Sequence, residues 1–225
     1  MKIKNHLEEN KLEYKPWLVD NEQGRIDLKI LPFLQEIENG FFIEAGALDG
    51  LFQSNTKLLE DLGWHGLLVE PSENAYNECL KNRKCYIENC ALVSSDFTDE
   101  FVYGDFNHNG FQGLGARSSI QPTGVKVKAK TLTNLLDEKN ITEVDFISLD
   151  VEGYEIEVLK GIDFNRIMIK YMIVEVNLDF YSLNDLDTFL LSKGFKNILN
   201  ISNFSNTTVG WPGNHQDYLY KNTAI

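Results

Sequence analysis

Four short apolar runs in this chain end on side chains that offer carboxylate or amide oxygens, and that recurrence limits the possible folds more sharply than any other feature. Phe41-Phe42-Ile43 leads into Glu44 and a turn holding Gly46 and Gly50, and Gly66-Leu67-Leu68-Val69 ends at Glu70. Phe146-Ile147-Ser148-Leu149 ends at Asp150 and Glu152, and Ile173-Val174 runs through Glu175 to Asn177. Apolar runs this short, bounded by turn residues, read as buried strands, and the amphipathic stretches between them read as crossover helices. Acids do not belong in an apolar strand unless they are exposed, paired or used. In an open, mostly parallel sheet they have a use at the carboxyl ends of the strands, because the ligand crevice opens there.

The pattern predicts strands at Gly40–Ala45, Gly66–Glu70, Cys85–Leu92, Val144–Asp150, Tyr171–Val176, Phe195–Ile201 and Asp217–Tyr220. Helices are expected at Asn55–Leu62, Ser72–Asn82, Thr131–Asn140, Tyr154–Gly161 and Leu183–Lys193. No clear helix separates the last two strands, so they are expected to pair antiparallel at the sheet edge. The expected fold is α/β and Rossmann-like, with seven strands, mostly parallel, closing in a C-terminal antiparallel hairpin; residues 40–225 form that domain. Residues 1–39 read as a helical extension in which Ile26, Ile30, Leu34 and Ile37 make one apolar stripe, with Pro32 interrupting the helix or marking its beginning. Residues 96–130, with glycines at 104, 110, 113, 115 and 124, show little periodic apolar pattern and read as a long variable loop, a lid over the site.

Charge narrows the partners. The chain carries 34 acidic against 21 basic residues, a formal net charge of −13. Such a field repels phosphate backbones, so no nucleic-acid substrate is expected, whereas a cationic cofactor or a neutral sugar is compatible with it. No stretch approaches the roughly 18 apolar residues of a membrane span, and the opening residues have no apolar signal core. Cys79, Cys85 and Cys90 lack zinc spacing and make an odd number, which reads as reduced thiols in a cytoplasmic protein. Oligomeric state is not readable.

Glycine in the turn after Glu44 lets the chain bend sharply and lets a ligand lie against bare backbone. The G-x-G-x-x-G spacing that places a pyrophosphate on a helix is missing, and so is a Tyr-x-x-x-Lys pair, which argues against a nicotinamide-dependent dehydrogenase. An acid at the strand end suits a cationic sulfonium amino-acid cofactor without phosphates. Glu70, 20 residues past Gly50, can accept both ribose hydroxyls of an adenosine.

With these motifs in this order, Ile43-Glu44-Ala45-Gly46-Ala47-Leu48-Asp49-Gly50, Ser54-Asn55-Thr56, Gly63-Trp64-His65-Gly66-Leu67-Leu68-Val69-Glu70-Pro71 and Leu149-Asp150-Val151-Glu152-Gly153-Tyr154-Glu155, the chain resembles the FkbM family of methyltransferases over about residues 40–180. The resemblance implies a class I methyltransferase fold, S-adenosylmethionine as cofactor, and O-methylation of a hydroxyl on a sugar, a glycan or a glycosylated small molecule. It implies that Glu44, Gly46, Asp49 and Gly50 make the cofactor turn, and that Ser54 and Asn55 open the helix beneath the methionine end. Glu70 and Pro71 would meet the ribose, Ala91 and Leu92 the adenine, and Asp150 to Gly153 would border the transferred methyl. The family often has Val-Asp-Val-Gly where this chain has Ile-Glu-Ala-Gly, a change that keeps the charge.

Methyl transfer to an alcohol needs a proton acceptor, and Asp150, Glu152 and His108 are the candidates. A divalent ion such as Mg²⁺ on Asp150, Glu175 and Asn177 is a further option, since all-oxygen sets suit hard cations. Phe106, Phe111, Trp211 and Tyr218 could stack on a sugar ring. The non-enzymatic alternative is an inactive methyltransferase-like interaction module; the presence of Glu44, Gly46, Glu70 and Asp150 speaks against it.

Overall fold

A computed structural model describes residues 25–104, 106, 124–202 and 213–225. Its main sheet has seven strands: β1 (Phe41–Ala45), β2 (His65–Val69), β3 (Tyr86–Glu88), β7 (Glu143–Leu149), β8 (Met168–Asn177), β9 (Phe195–Asn200) and β10 (His215–Asn222). They lie in the order β3-β2-β1-β7-β8-β10-β9. Neighbours from β3 to β8 are parallel, while β10 runs antiparallel to both β8 and β9, as the missing crossover helix implied.

Register aligns the carboxyl ends. Ala45 at the end of β1 stands opposite Val69 of β2 on one side and Leu149 of β7 on the other. The chain leaves β1 toward β2 and returns on the opposite side as β7, so the order reverses at β1. A crevice opens at such a switch point.

Helices cover both faces, and the central strands are accordingly apolar on both. Ile43, Leu67, Ile147 and Val174 pack on one face under α4 (Leu132–Glu138), α5 (Glu155–Lys160) and α6 (Leu183–Leu191). Phe42, Leu68, Phe146 and Ile173 pack on the other under α1 (Ile26–Leu34), α2 (Lys57–Asp61) and α3 (Glu73–Asn82). Ile26, Ile30 and Leu34 of the expected stripe are buried in that second core, with Ile37 packed partly buried against it. Pro32 neither interrupts nor begins α1; it sits inside the helix on the exposed side, where the apolar face opposite carries the packing.

Two expectations are corrected. Cys85–Leu92 is not one strand: β3 ends at Glu88, and the chain changes sheets before β4 (Ala91–Leu92). Asn89 fixes the break by donating from Nδ2 to the carbonyls of Glu70 at 2.8 Å and Pro71 at 3.0 Å. Nor is 96–130 all loop, for β5 (Phe101–Gly104) and β6 (Val125–Lys130) join β4 in a three-stranded sheet of order β4-β6-β5. Val125, Val127 and Ala129 alternate with Lys126, Lys128 and Lys130, the period-two signal of a half-buried strand. Residues 105 and 107–123 of the expected lid lie outside the described residues.

Candidate active site

The crevice at the ends of β1, β2, β4 and β7 is lined by Glu44 to Leu48, Val69 to Ser72, Cys90 to Leu92 and Asp150 to Glu152, with Phe106 and Ala75 among the apolar residues. Among the described residues its lining carries carboxylates and no Lys or Arg.

Its floor is the turn after β1. Gly46 has φ +82°, and a Cβ there would fall 1.8 Å from the carbonyl oxygen of Asp150. That oxygen belongs to the chain just beyond β7, so the two strand tips approach with no room for a side chain. Leu48 also has a positive φ, 50°, as do Gln53 (59°) and Glu152 (56°) around the same crevice. Such backbone persists only where its surroundings over-determine it. Glu70 is one restraint, accepting from Leu48 N–H on Oε2 and from Ser72 N–H on Oε1, each at 2.8 Å. Burial raises the Glu70 carboxyl to about 7 in spite of these two donors. Asp49 is another, taking the N–H groups of Leu51 (2.9 Å) and Phe52 (2.7 Å) on Oδ1. Asp49 and Gly50 shape the loop, but neither lines the crevice.

Glu44 is the best-connected acid of the site. Its Oε1 accepts from Asn55 N–H at 2.7 Å; its Oε2 accepts from Ser54 Oγ at 2.8 Å, Thr56 Oγ1 at 2.7 Å and Arg83 Nη1 at 3.3 Å. The same guanidinium donates to Gly50 O (2.9 Å), Ser54 Oγ (3.1 Å), Thr56 Oγ1 (3.0 Å) and Glu60 Oε2 (2.8 Å). The Arg83 side chain is wholly buried. It ties the loop after β1 to α2 and α3, and Asn55 adds a bond from Nδ2 to Ser148 Oγ at 3.0 Å, reaching β7.

A group of acids forms the other wall. One carboxylate oxygen each from Asp150, Glu155 and Glu175 lie within 4.8 Å of one another. Asp150 opens on the crevice, whereas Glu155 and Glu175 are buried beneath it. Glu155 Oε1 accepts the N–H groups of Val151 (2.9 Å) and Gly153 (3.0 Å), and Tyr181 Oη bonds Glu155 Oε2 at 2.9 Å and also the carbonyl of Glu175. Across the β8–β10 ladder Asp217 stands opposite Glu175. Burial, then the neighbouring charges, pushes these carboxyls up: Asp150 to about 6 and Glu152 to about 8, with Glu175 well above the usual range.

Residues 44–196 match the family described as the methyltransferase FkbM domain. The chain belongs to this family. Solved structures similar to it include an S-adenosylmethionine-dependent methyltransferase from Clostridium acetobutylicum, 11% identical over 90% of this chain and 92% of that one, with a TM-score of 0.49. A TehB-like S-adenosylmethionine-dependent methyltransferase from Corynebacterium glutamicum is 9% identical over 98% of each chain, with a TM-score of 0.49. TrmK from M. capricolum, in complex with S-adenosylhomocysteine, is 12% identical over 86% of this chain and 67% of that one, with a TM-score of 0.46. No curated protein matches the chain.

The crevice of this FkbM-domain chain has the features that S-adenosylmethionine would need: bare backbone at Gly46, an acid at the end of β2, an apolar slot at Pro71, Ala91, Leu92 and Phe106, and an acidic end at Asp150 and Glu152 for a cation. The structure brings together Glu44, Gly46, Ser54, Asn55, Glu70, Pro71, Ala91, Leu92, Asp150 and Glu152 on one crevice. Asn177 lies two residues beyond Glu175 on β8, its Oδ1 accepting from Asp179 N–H at 3.1 Å. His108 lies outside the described residues, as do Phe111 and Trp211.

Arg83, Glu155 and Tyr181 were not singled out from the sequence. Arg83 had one available signal, as a base directly after an expected helix in a chain whose turn carries buried acids. Glu155 stands inside the motif that carried the family resemblance. Tyr181 had no local signal, because only the fold of β8 onto α5 brings it to Glu155.

Proposed function

We propose that the chain is an O-methyltransferase acting on a hydroxyl of a sugar, a glycan or a glycosylated small molecule, with Glu152 as the proton acceptor. The observation that carries this reading is the lining of the crevice, acidic and without Lys or Arg among the described residues. A phosphate-bearing acceptor would meet repulsion there, reinforced by the net charge of −13, which also disfavours nucleic acid. A neutral hydroxyl meets a carboxylate able to take its proton. When bound, S-adenosylmethionine supplies a methyl group already activated by its sulfonium. The protein's own contribution is then alignment, worth up to roughly 7–11 kcal/mol, and proton removal. Glu152 lines the crevice on a turn held by Glu155, three residues past the end of β7, and Asp150 borders the same point.

The direct test is incubation with S-adenosylmethionine and a panel of sugars, glycosides, phenols, amines and RNA, with the methylated atom located by mass spectrometry and NMR. A methyl ether is the expected product; methylation only at nitrogen, carbon or RNA would overturn the reading. Glu152→Gln should lower kcat by roughly 10²–10⁴-fold with little change in cofactor affinity. Undiminished turnover in that variant would remove Glu152 as the base.

Glu70 is assigned to the ribose hydroxyls, and Glu70→Ala should weaken cofactor binding by more than about 1.5 kcal/mol, the lower end for a charged hydrogen bond. Its carboxyl is raised to about 7, so the accepting, ionised form gains population as pH rises through that value. Affinity for S-adenosylhomocysteine should therefore increase from the acid side of pH 7 to the alkaline side, and Glu70→Gln should flatten the profile. Calorimetric titrations across that range check both, and an unchanged profile in the Gln variant would sink the assignment.

A further inference from the structure

Glu175 Oε2 is buried and has no hydrogen-bond partner, the only such side-chain atom among the described residues. A carboxyl oxygen left in the interior without a donor from the rest of the fold is costly when ionised, and native structures rarely leave one without a reason. The side-chain neighbour of Glu175 is the Asp150 carboxyl, with which it can share a proton. In the Glu175 carboxyl group, one oxygen lies within 4.8 Å of one oxygen each of Asp150 and Glu155, and those two are equally close to each other. Nothing that describes the cofactor's turn or the ribose acid uses this group.

We propose that Asp150, Glu155 and Glu175 bind one hard divalent cation, Mg²⁺ or Mn²⁺, in the acidic wall of the crevice. The donor set is all carboxylate, which selects hard over soft ions. The thiols are no competitors, since burial pushes Cys85 and Cys90 up to about 12 and they stay protonated. Around an ion with bonds of about 2.0–2.1 Å, adjacent ligands stand about 2.9 Å apart and opposed ones about 4.1 Å, so oxygens within 4.8 Å of one another need to close by at most about 2 Å, a shift that side-chain rotation supplies. Glu155 is already oriented for this by the N–H groups of Val151 and Gly153 and by the Tyr181 hydroxyl. Ligating carboxylates in metal sites are held by outer hydrogen bonds of this kind. The depth of the site favours a bare ion over an organic ammonium group, for Glu155 is fully buried and Glu175 is 7% exposed. Asp150, open to the crevice, leaves one side of the ion facing the acceptor. There it would lower the pKa of a bound hydroxyl and orient it, with Glu152 taking the proton. That role rests on the O-methylation reading; the binding itself does not.

The test therefore measures binding without cofactor or acceptor. Mn²⁺ is titrated into the full chain at physiological ionic strength, with free Mn²⁺ followed by electron paramagnetic resonance and thermal unfolding followed in parallel. The expected results are saturation at one ion per chain, competition by Mg²⁺, and a rise in Tm. Glu175→Gln should weaken binding at least tenfold, and Tyr181→Phe, which loosens Glu155, by roughly 10–100-fold. Glu143→Gln, on the exposed start of β7, should bind as the wild type does. Absence of saturable binding and of a Tm shift in the wild type overturns the proposal whatever the variants do, and means that the three carboxyls share protons instead. Equal binding by a folded Glu175→Gln protein overturns it as well.

Discussion

Gly46→Ala is expected to abolish cofactor binding and to destabilise the fold by about 3 kcal/mol or more, although it adds one methyl group. Two costs combine. A φ of +82° disfavours any L-residue, by roughly 1–2 kcal/mol. The added Cβ would also stand 1.8 Å from the Asp150 carbonyl oxygen, and neither neighbour can yield cheaply. Gly46 N–H bonds Val69 O at 3.0 Å on one side, and Asp150 N–H bonds Ala45 O at 3.1 Å on the other. Relief requires moving the tips of β1 and β7 apart, which displaces Leu48 from Glu70 and Asp150 from the acids beneath it. Gly63→Ala separates the two costs. Its φ is +93°, but its Cβ would meet nothing within 4 Å. It should cost only the backbone term and leave binding intact. At roughly 2–4 °C per kcal/mol for a chain of this size, the two variants should differ clearly in Tm. Similar Tm values and similar affinity for S-adenosylhomocysteine would show that the strand tips can part freely and that the turn does not depend on this contact.

The contrast between Gly46 and Arg83 shows what the sequence could disclose. The strand ends were legible because a parallel sheet buried on both faces leaves continuous apolar runs, and each of the four stopped on an oxygen-bearing side chain. The turn glycine was legible because its requirement is local, a sharp bend after a strand. The antiparallel end was legible from a missing helix. Residues whose role depends on meeting across the fold were not. Glu44 read as a ligand-facing acid, yet both its oxygens are taken by protein donors, one of them 39 residues away at Arg83. Tyr181 reaches Glu155 across 26 residues. The small sheet was missed for a different reason: β4 has two residues and β5 four, too short to show a period, and the alternation of β6 does not by itself disclose its partners.

Arg83→Met should be the most damaging single change outside the backbone, lowering stability by about 3–5 kcal/mol. The methionine fills much of the volume, so the loss is mainly electrostatic. Arg83 is buried between Glu44 and Glu60, at 3.3 and 2.8 Å, and removing it leaves two carboxylates with too few donors. Glu44 keeps Ser54, Asn55 and Thr56, but Gly50 O and the Ser54 and Thr56 hydroxyls lose their shared anchor. The loop from 46 to 56 should loosen with them, so cofactor affinity should fall together with Tm. Arg83→Lys keeps the charge but replaces a fork that serves five acceptors with one ammonium, and should recover only part of the loss. The pH dependence gives the sign. Burial pushes the Glu60 carboxyl up, but Arg83, the N–H of Lys84 and the thiol of Cys85 outweigh it and hold the group below its usual value of 4.5. A depressed carboxyl contributes stability above its unfolded pKa and loses it as pH falls through the folded one. The gap in stability between wild type and Arg83→Met should therefore be widest near neutral pH and narrow below about pH 4.5, as the wild type loses what the variant never had. Denaturant titrations at neutral and acid pH measure that gap, and a gap independent of pH would mean that Arg83 stabilises the loop by packing over Phe42, 5.5 Å from its ring centroid, and not through its two acids.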